Sequence, residues 1–460
     1  MAILNEHFNQ PHKTSLKKEL PLFKDLPPLS AATKKDYGTF KDSMRAPIYR
    51  WFQYPAGYSY KFIQEKIKEY KLNDAHWIFD PFVGSGTTVI AAKEADVNSI
   101  GIEAHPFVYE IARIKTFWEY DLEHLSKLMT EVSGLIDKRA SNGYKEKVNI
   151  DSLPELVRKC YSPENLKKLL TIRETILEAK EDDEYKDFLK IVLTNTLRTA
   201  SKAGTGWPYI APSKYHEKVD EKDGINEFKK NLHAFYKDVL FMRTKHHKKN
   251  VKSKLIFGDA RLRHKDIARG SVDLAVTSPP YLNNYDYADR TRLETYFWGK
   301  YSSWGDITKE VRDKLMIAAT TQIRRSDFGD SPLGGKIKAT SPLIYDELSE
   351  KIKKLCQMRM KKGGRKSYDL MVAGYFNDIY EVIKQVHRVL KSGRDFVMVL
   401  GDSAPYGVHI PTDIYLGEIA KGLGFKSYAI EELRRRGEKW AHNSQRHSVP
   451  LKEVLLTIKR

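Results

Sequence analysis

Cysteine is almost missing from this 460-residue chain, which has two, Cys160 and Cys356. They lie far apart and neither has a second thiol at metal-ligand spacing, so a disulfide framework and a zinc site are both excluded. The pair His246-His247 also lacks companion ligands, and no metal is expected. Nor is there an apolar run near the roughly 20 residues that a membrane-crossing helix needs. The start, MAILNEHFNQPHKTSLKKEL, turns polar directly after its opening MAIL, so no secretory leader is read there. The expectation is a soluble protein of the reducing cytoplasm with no membrane partner. Acid is also scarce: 60 Asp and Glu stand against 79 Lys and Arg, a formal net charge of +19. An excess of that size favours a polyanionic partner. The length allows two or three domains, or one domain with large insertions.

What is present is organised around VDLAVTSPPYLNNYDY. Val272 to Val276 is short, β-branched and apolar, which predicts a buried strand that stops where Pro279 and Pro280 remove consecutive backbone donors. The stiff turn after it leaves carbonyls unpaired, sets the Ser278 hydroxyl beside them and places the Tyr281 ring one residue on. A flat ring bearing an amine fits there: Ser278 and the Pro279 carbonyl hold the amine hydrogens, and Tyr281 stacks on a base taken out of its duplex. From the tetrapeptide alone, an ordinary strand-to-loop exit with a proline brake is an equal reading.

The second key stretch is HWIFDPFVGSGTTVIAAKEADVNSIGIEAHPF. A strand at Ile78 and Phe79 closes at Asp80-Pro81, and Phe82 to Gly86 turns tightly into a helix that begins near Thr87 and Thr88. A second strand, Ser99 to Ile102, ends in Glu103. Glycines let a ligand approach the backbone, the helix start offers free amide donors, and an acid at the second strand's end suits two ribose hydroxyls. The glycine turn alone is weak evidence; turn, helix, strand and terminal acid in one βαβ unit are stronger.

DPFVGSGTT, with GIEAHPF after it and TSPPY further on, resembles the class I S-adenosylmethionine-dependent DNA amino-methyltransferases, which methylate cytosine N4 or adenine N6. The resemblance implies an α/β, Rossmann-like methyltransferase fold with a seven-stranded mixed sheet whose last strand is antiparallel. It implies S-adenosylmethionine as cofactor, with Asp80, Phe82, Gly84, Gly86, Thr87 and Thr88 around its methionine part and Glu103 on its ribose. Asp259, read as the end of the strand KLIFGD, falls near its adenine. The aromatic stretch from Tyr49 to Tyr60 resembles the family segment that closes over the cofactor's amino-acid end. Ser278, Pro279, Pro280 and Tyr281 are the implied catalytic residues. Double-stranded DNA is the implied partner, with a cognate restriction endonuclease as a second. The resemblance covers residues 46–116 and 250–300, and 368–460 in outline. The cofactor segment precedes the catalytic one, whereas many members with SPPY run the other way.

The chain divides accordingly. Residues 1–45 are an amino-terminal arm, and 46–119 form the first, cofactor-binding part of the methyltransferase domain. Residues 120–250 are a mostly helical insertion, with helices read at Leu122–Leu135, Pro163–Leu177 and Tyr185–Leu197. Residues 251–300 form the catalytic part, 301–367 a basic, target-facing insertion, and 368–460 the rest of the domain. In that last part Gly393 is read as ending a helix. Two further stretches, SKAGTGWPYIAPSKYHEK at 201–218 and RTKHHKKNVKSK at 243–254, read equally as DNA contacts or as an anchored loop and a solvated face. The arginines 434–436 read as DNA contacts or, more simply, as part of an exposed hairpin.

The expected activity is therefore direct methyl transfer to an exocyclic amine, without a covalent enzyme intermediate, since neither cysteine sits in a Pro-Cys turn. Serine in SPPY favours cytosine N4, because adenine enzymes more often carry Asp or Asn there. The rivals are adenine N6, an RNA or protein methyltransferase, and a catalytically silent DNA-binding protein of the same fold.

Overall fold

The computed structural model describes residues 37–40, 42–54, 57–142, 150–203, 221–245, 251–436 and 449–460. Most of the amino-terminal arm, nearly all of the 201–218 loop, His246-His247 and the tip of the 434–448 hairpin lie outside the described residues.

The strands are β1 (Trp77–Asp80), β2 (Asn98–Glu103), β3 (Ser253–Phe257), β4 (Val272–Thr277), β5 (Leu390–Gly401), β6 (Ser427–Arg436) and β7 (Leu451–Lys459). They form one seven-stranded sheet in the order β3-β2-β1-β4-β5-β7-β6. Pairing is parallel from β3 to β5, and β7 runs antiparallel to both of its neighbours. This is the expected mixed sheet with its antiparallel last strand.

Alternation along each strand divides the core into two layers. Ile78, Leu274, Val276, Val397 and Val399 face one side, where they meet α1 (Tyr60–Glu69), α2 (Thr87–Glu94) and α3 (Pro106–Thr116). Phe79, Ala275, Phe396, Met398 and Leu400 face the other, against α12 (Pro342–Lys361), α13 (Tyr368–Val389) and α14 (Thr412–Gly422). β4 is buried along its whole length. Its one acid, Asp273, is tolerated because Trp77 N donates to it at 3.0 Å and Lys391 Nζ at 2.7 Å.

Between β2 and β3 stands the helical insertion: α4 (Leu122–Ser141), α5 (Glu155–Cys160), α6 (Pro163–Glu178), α7 (Asp183–Thr199) and α8 (Gly224–Lys245). It continues the first core layer. Between β4 and α13 lie α9 (Arg292–Phe297), α10 (Trp304–Glu310), α11 (Gly335–Thr340) and α12. The basic run at 351–366 falls largely on α12, which buries Ile344, Leu348, Ile352 and Leu355 and leaves Lys353, Lys354 and Lys361 exposed.

Two boundaries differ from expectation. The helix before β5 ends at Val389, and Gly393 lies inside the strand at φ 75°. The carbonyls of Arg388 and Val389 accept from Gly270 N and Ser271 N, so the chain is drawn into the sheet before the glycine is reached. β3 ends at Phe257, and Asp259 stands beyond it on a turn.

Lys115, on α3, is fully buried, and its Nζ has no hydrogen-bond partner among the described residues. Burial lowers its pKa to about 7. Between there and the ordinary value near 10.4 the unfolded chain holds a proton that the folded one has released, so stability rises with pH across that window. Lys115→Met is expected to raise stability by about 1–3 kcal/mol near pH 6. Denaturant titrations should show the gain shrinking towards pH 10; a gain that does not change with pH means the amine carries no buried charge.

Candidate active site

β1 ends in Asp80, and the next residues fold back over β2. Gly84 and Gly86 adopt φ of 54° and 96°, which lets the chain turn tightly into α2. Val83 N donates to Ile102 O at 3.0 Å, and this close approach needs Gly101: a Cβ there would stand 2.7 Å from the Val83 side chain. The first-turn amides of α2 therefore face the space above the carboxyl ends of the strands.

Asp80 is 1% exposed and accepts four hydrogen bonds. They come from Phe82 N at 2.9 Å, Tyr58 Oη at 2.9 Å, Thr277 Oγ1 at 2.6 Å and, closely, Thr88 Oγ1. Burial raises its pKa, and these donors oppose the rise. One carboxylate thus ties the glycine turn, the aromatic segment before β1 and the residue preceding Ser278.

Glu103, at the tip of β2, accepts from Gly84 N at 3.0 Å and His105 N at 2.8 Å. Burial raises its pKa to about 7 against the pull of these amides. His105 is buried, donates or accepts at Thr291 Oγ1 over 2.7 Å, and is held neutral by burial, which pushes its pKa down to about 3.

These elements enclose a cleft of about 840 Å³, counted out to open solvent. The glycine turn, Glu103 and His105 form its floor. Tyr54, Tyr58 and Tyr287 add aromatic lining, with the Tyr54 and Tyr287 ring centroids 6.4 Å apart, while Ile102, Ala260, Leu315 and Met316 add apolar lining. The segments carrying Tyr54 and Tyr287 are joined by buried charge. Glu294 is fully buried and pairs with Arg198 of α7 and with Arg290, which in turn donates to Gln53 O beside Tyr54.

Ser278 and Pro280 line the same cleft, so the catalytic turn and the glycine turn share one space. Of the other expected residues, Phe82, Gly84, Thr87, Glu103 and Asp259 line it, whereas Asp80, Gly86, Thr88 and Pro279 do not. The Asp259 carboxylate is taken by Arg261, which also reaches Asp378 at 2.9 Å. Tyr281 is not among the residues that line the cleft, and its hydroxyl is turned towards β7. Its hydroxyl lies 3.1 Å from Glu453 Oε1, and the Arg436 guanidinium stands 5.4 Å over its ring.

Sequence reasoning missed Glu453, Tyr58 as a partner of Asp80, Gly101 and the Arg198–Glu294–Arg290 group. Glu453 carried a signal: it is the one acid in PLKEVLLTIK, directly before the apolar Val454, Leu455 and Leu456.

Comparison with known proteins agrees with this geometry. The DNA methylase family of N6 and N4 methyltransferases matches residues 6–113, a span that includes the glycine turn and Glu103. Two curated relatives are similar over most of their length. One is the type II methyltransferase M.BsoBI of Geobacillus stearothermophilus, 24% identical over 86% of this chain and 82% of its own. The other is the type II methyltransferase M.AvaI of a Nostoc species, 24% identical over 88% and 84%. The type II methyltransferase M.MjaII of Methanocaldococcus jannaschii is 32% identical over 28% of this chain. These similarities support an amino-methyltransferase of the N4/N6 family.

The family uses S-adenosylmethionine as methyl donor. The cleft fits that group: an acid for a diol, amides at a helix start for a carboxylate, and an apolar lining for a purine. In this methyltransferase Glu103 is the ribose candidate, and its raised pKa makes a test. The ionised carboxylate accepts hydroxyl hydrogens better than the protonated acid. Affinity for S-adenosylmethionine is therefore expected to rise as pH increases through about 7. Glu103→Gln is expected to bind roughly tenfold or more weakly and to lose that component of the profile. Equal affinities, or parallel profiles by calorimetry, would remove the ribose role.

Proposed function

We propose that this methyltransferase transfers a methyl group from S-adenosylmethionine to the exocyclic amine of a flipped base in double-stranded DNA, cytosine N4 in preference to adenine N6. One observation carries the reading: Ser278 and Pro280 line the same cleft as Gly84 and Glu103, with Thr277 and the glycine turn both bound to Asp80. An amine held at Ser278 therefore lies next to the place where a methyl donor sits.

S-adenosylmethionine, when bound, supplies an electrophilic methyl group. The chain's part is positional. The Ser278 hydroxyl and the Pro279 carbonyl hold the amine hydrogens, which frees the nitrogen lone pair from the ring. The amine so held would take up the methyl group that the bound cofactor would supply, with the cofactor's sulfur as leaving group, and one amine proton would leave by way of Ser278 to solvent. Proximity and alignment supply most of the acceleration. The exposed lysines of α12 and the insertion that carries it face DNA phosphates, in keeping with the net charge of +19. Because the relatives are named type II methyltransferases, a cognate restriction endonuclease is the proposed second partner.

The deciding experiment incubates the protein with labelled S-adenosylmethionine and mixed-sequence duplex DNA, then digests the product to nucleosides. Label in N4-methylcytosine is expected. N6-methyladenine would keep the reaction and overturn the base, and label confined to RNA or protein would overturn the substrate.

A further inference from the structure

The segment that brings Tyr54 and Tyr58 to the cleft takes its course at Ile48. The backbone there sits at φ 65°, ψ −48°, and Tyr49 N donates to Pro47 O at 2.7 Å. Together these make the γ-turn of positive φ, a rare and strained turn, and Ile48 is β-branched. Such strain persists only where the surroundings over-determine it.

The surroundings come from the helical insertion. Asp238, on α8 and 3% exposed, accepts from Ile48 N at 3.3 Å, Trp51 Nε1 at 3.0 Å, Arg50 Nε at 2.8 Å and Arg50 Nη2 at 2.7 Å. The Trp51 indole stacks on Phe235, one turn before Asp238, with ring centroids 4.8 Å apart and planes 4° from parallel. Asn195, on α7, donates to the carbonyls of Arg50 at 3.3 Å and Trp51 at 3.2 Å. The Tyr49 hydroxyl donates to Glu94 of α2 at 2.9 Å; the other side-chain hydrogen bonds that fix residues 48–51 among the described residues come from the insertion, and neither Asp238 nor Asn195 lines the cleft.

We propose that Asp238 is a positioning residue for the cofactor: it holds the strained turn at Ile48 so that Tyr54 and Tyr58 stand ready as the wall of the cleft. The proposal rests on reading that cleft as the S-adenosylmethionine site. A wall fixed in advance spares the ligand the cost of ordering it. Loosening the wall lowers the competent fraction and weakens binding by the same factor, without altering the chemistry once the site is filled. The insertion is then more than scaffold: it sets cofactor affinity.

The test compares wild type, Asp238→Asn and Asn195→Ala by calorimetry with S-adenosylmethionine, by duplex-DNA anisotropy, and by kcat at saturating cofactor. Asp238→Asn keeps the volume but turns an amide towards donors; it is expected to raise the cofactor Kd roughly tenfold or more. Asn195→Ala should raise it by a smaller factor, roughly threefold. DNA affinity and saturated kcat should stay within about twofold of wild type. Unchanged cofactor Kd in a folded variant overturns the proposal, as does a fall in kcat with Kd intact. Should Asp238→Asn fail to fold, Asn195→Ala decides by the same criteria. Wild type that does not bind S-adenosylmethionine overturns the cofactor reading itself, and the proposal with it.

Discussion

Asp80→Ala is expected to abolish methyl transfer and cofactor binding together. The carboxylate is 1% exposed and serves four donors, so its removal strands Thr277 Oγ1 and Phe82 N and leaves Tyr58 Oη and Thr88 Oγ1 only each other. Each stranded group costs about 1–3 kcal/mol, and a sum of several kcal/mol is a large share of the 5–15 kcal/mol typical of a folded domain. The glycine turn and the catalytic turn lose their common anchor at once. Thr277→Val removes one donor and leaves the carboxylate three, so it should cost about 1 kcal/mol and leave cofactor affinity intact. Thermal melts with calorimetry on both variants check the pair. If Asp80→Ala kept its melting point and lost only turnover, Asp80 would be acting on substrate and not as an anchor.

In the proposed reading Tyr281 stacks on the flipped base with the ring face that Arg436 leaves open, so Tyr281→Ala is expected to lower kcat/KM on DNA by roughly 10- to 100-fold. Cofactor affinity should not move, because Tyr281 does not line the cleft. The structure adds a control. The Tyr281 hydroxyl binds Glu453, which also takes Arg434 Nε at 2.7 Å, and Arg436 covers the ring. Tyr281→Phe keeps the ring and drops the tether, so it should lose about 1 kcal/mol, roughly fivefold. Single-turnover rates separate the two. Equal losses in Ala and Phe would show that the tether matters and the stacking face does not.

The strands and the two motifs were legible because their signals are local. Val272 to Val276 reads as a buried strand from its own side chains, and Gly84 and Gly86 mark a turn wherever they stand. The amphipathic helices of the insertion show the same local periodicity. What stayed hidden depends on partners far along the chain. Nothing around Asp238 names Ile48 or Arg50 as its donors, although an acid in register with Phe235, Val239 and Met242 is a mark of a buried partner. Asp259 was read as the end of a strand; the strand stops at Phe257, and Asp259 lines the cleft with its carboxylate paired to Arg261. Gly393 was read as a helix stop because glycine so often is one; sheet pairing by Gly270 and Ser271 ended the helix sooner.

The strand order has a consequence for synthesis. β3 and β4 are consecutive in the chain, yet β2 and β1 lie between them in the sheet. The β1–β2 pair leaves the ribosome first and must wait, with both edges open, while the whole helical insertion is made. At about 5–20 residues per second that wait lasts on the order of ten seconds. The insertion, rich in local contacts, folds quickly meanwhile. The nascent sheet meanwhile presents unpaired strand edges bearing Ile78, Phe79, Ile100 and Ile102, an invitation to wrong partners. Yield on expression should therefore depend on how fast the chain passes through the insertion and on chaperones that cover those edges.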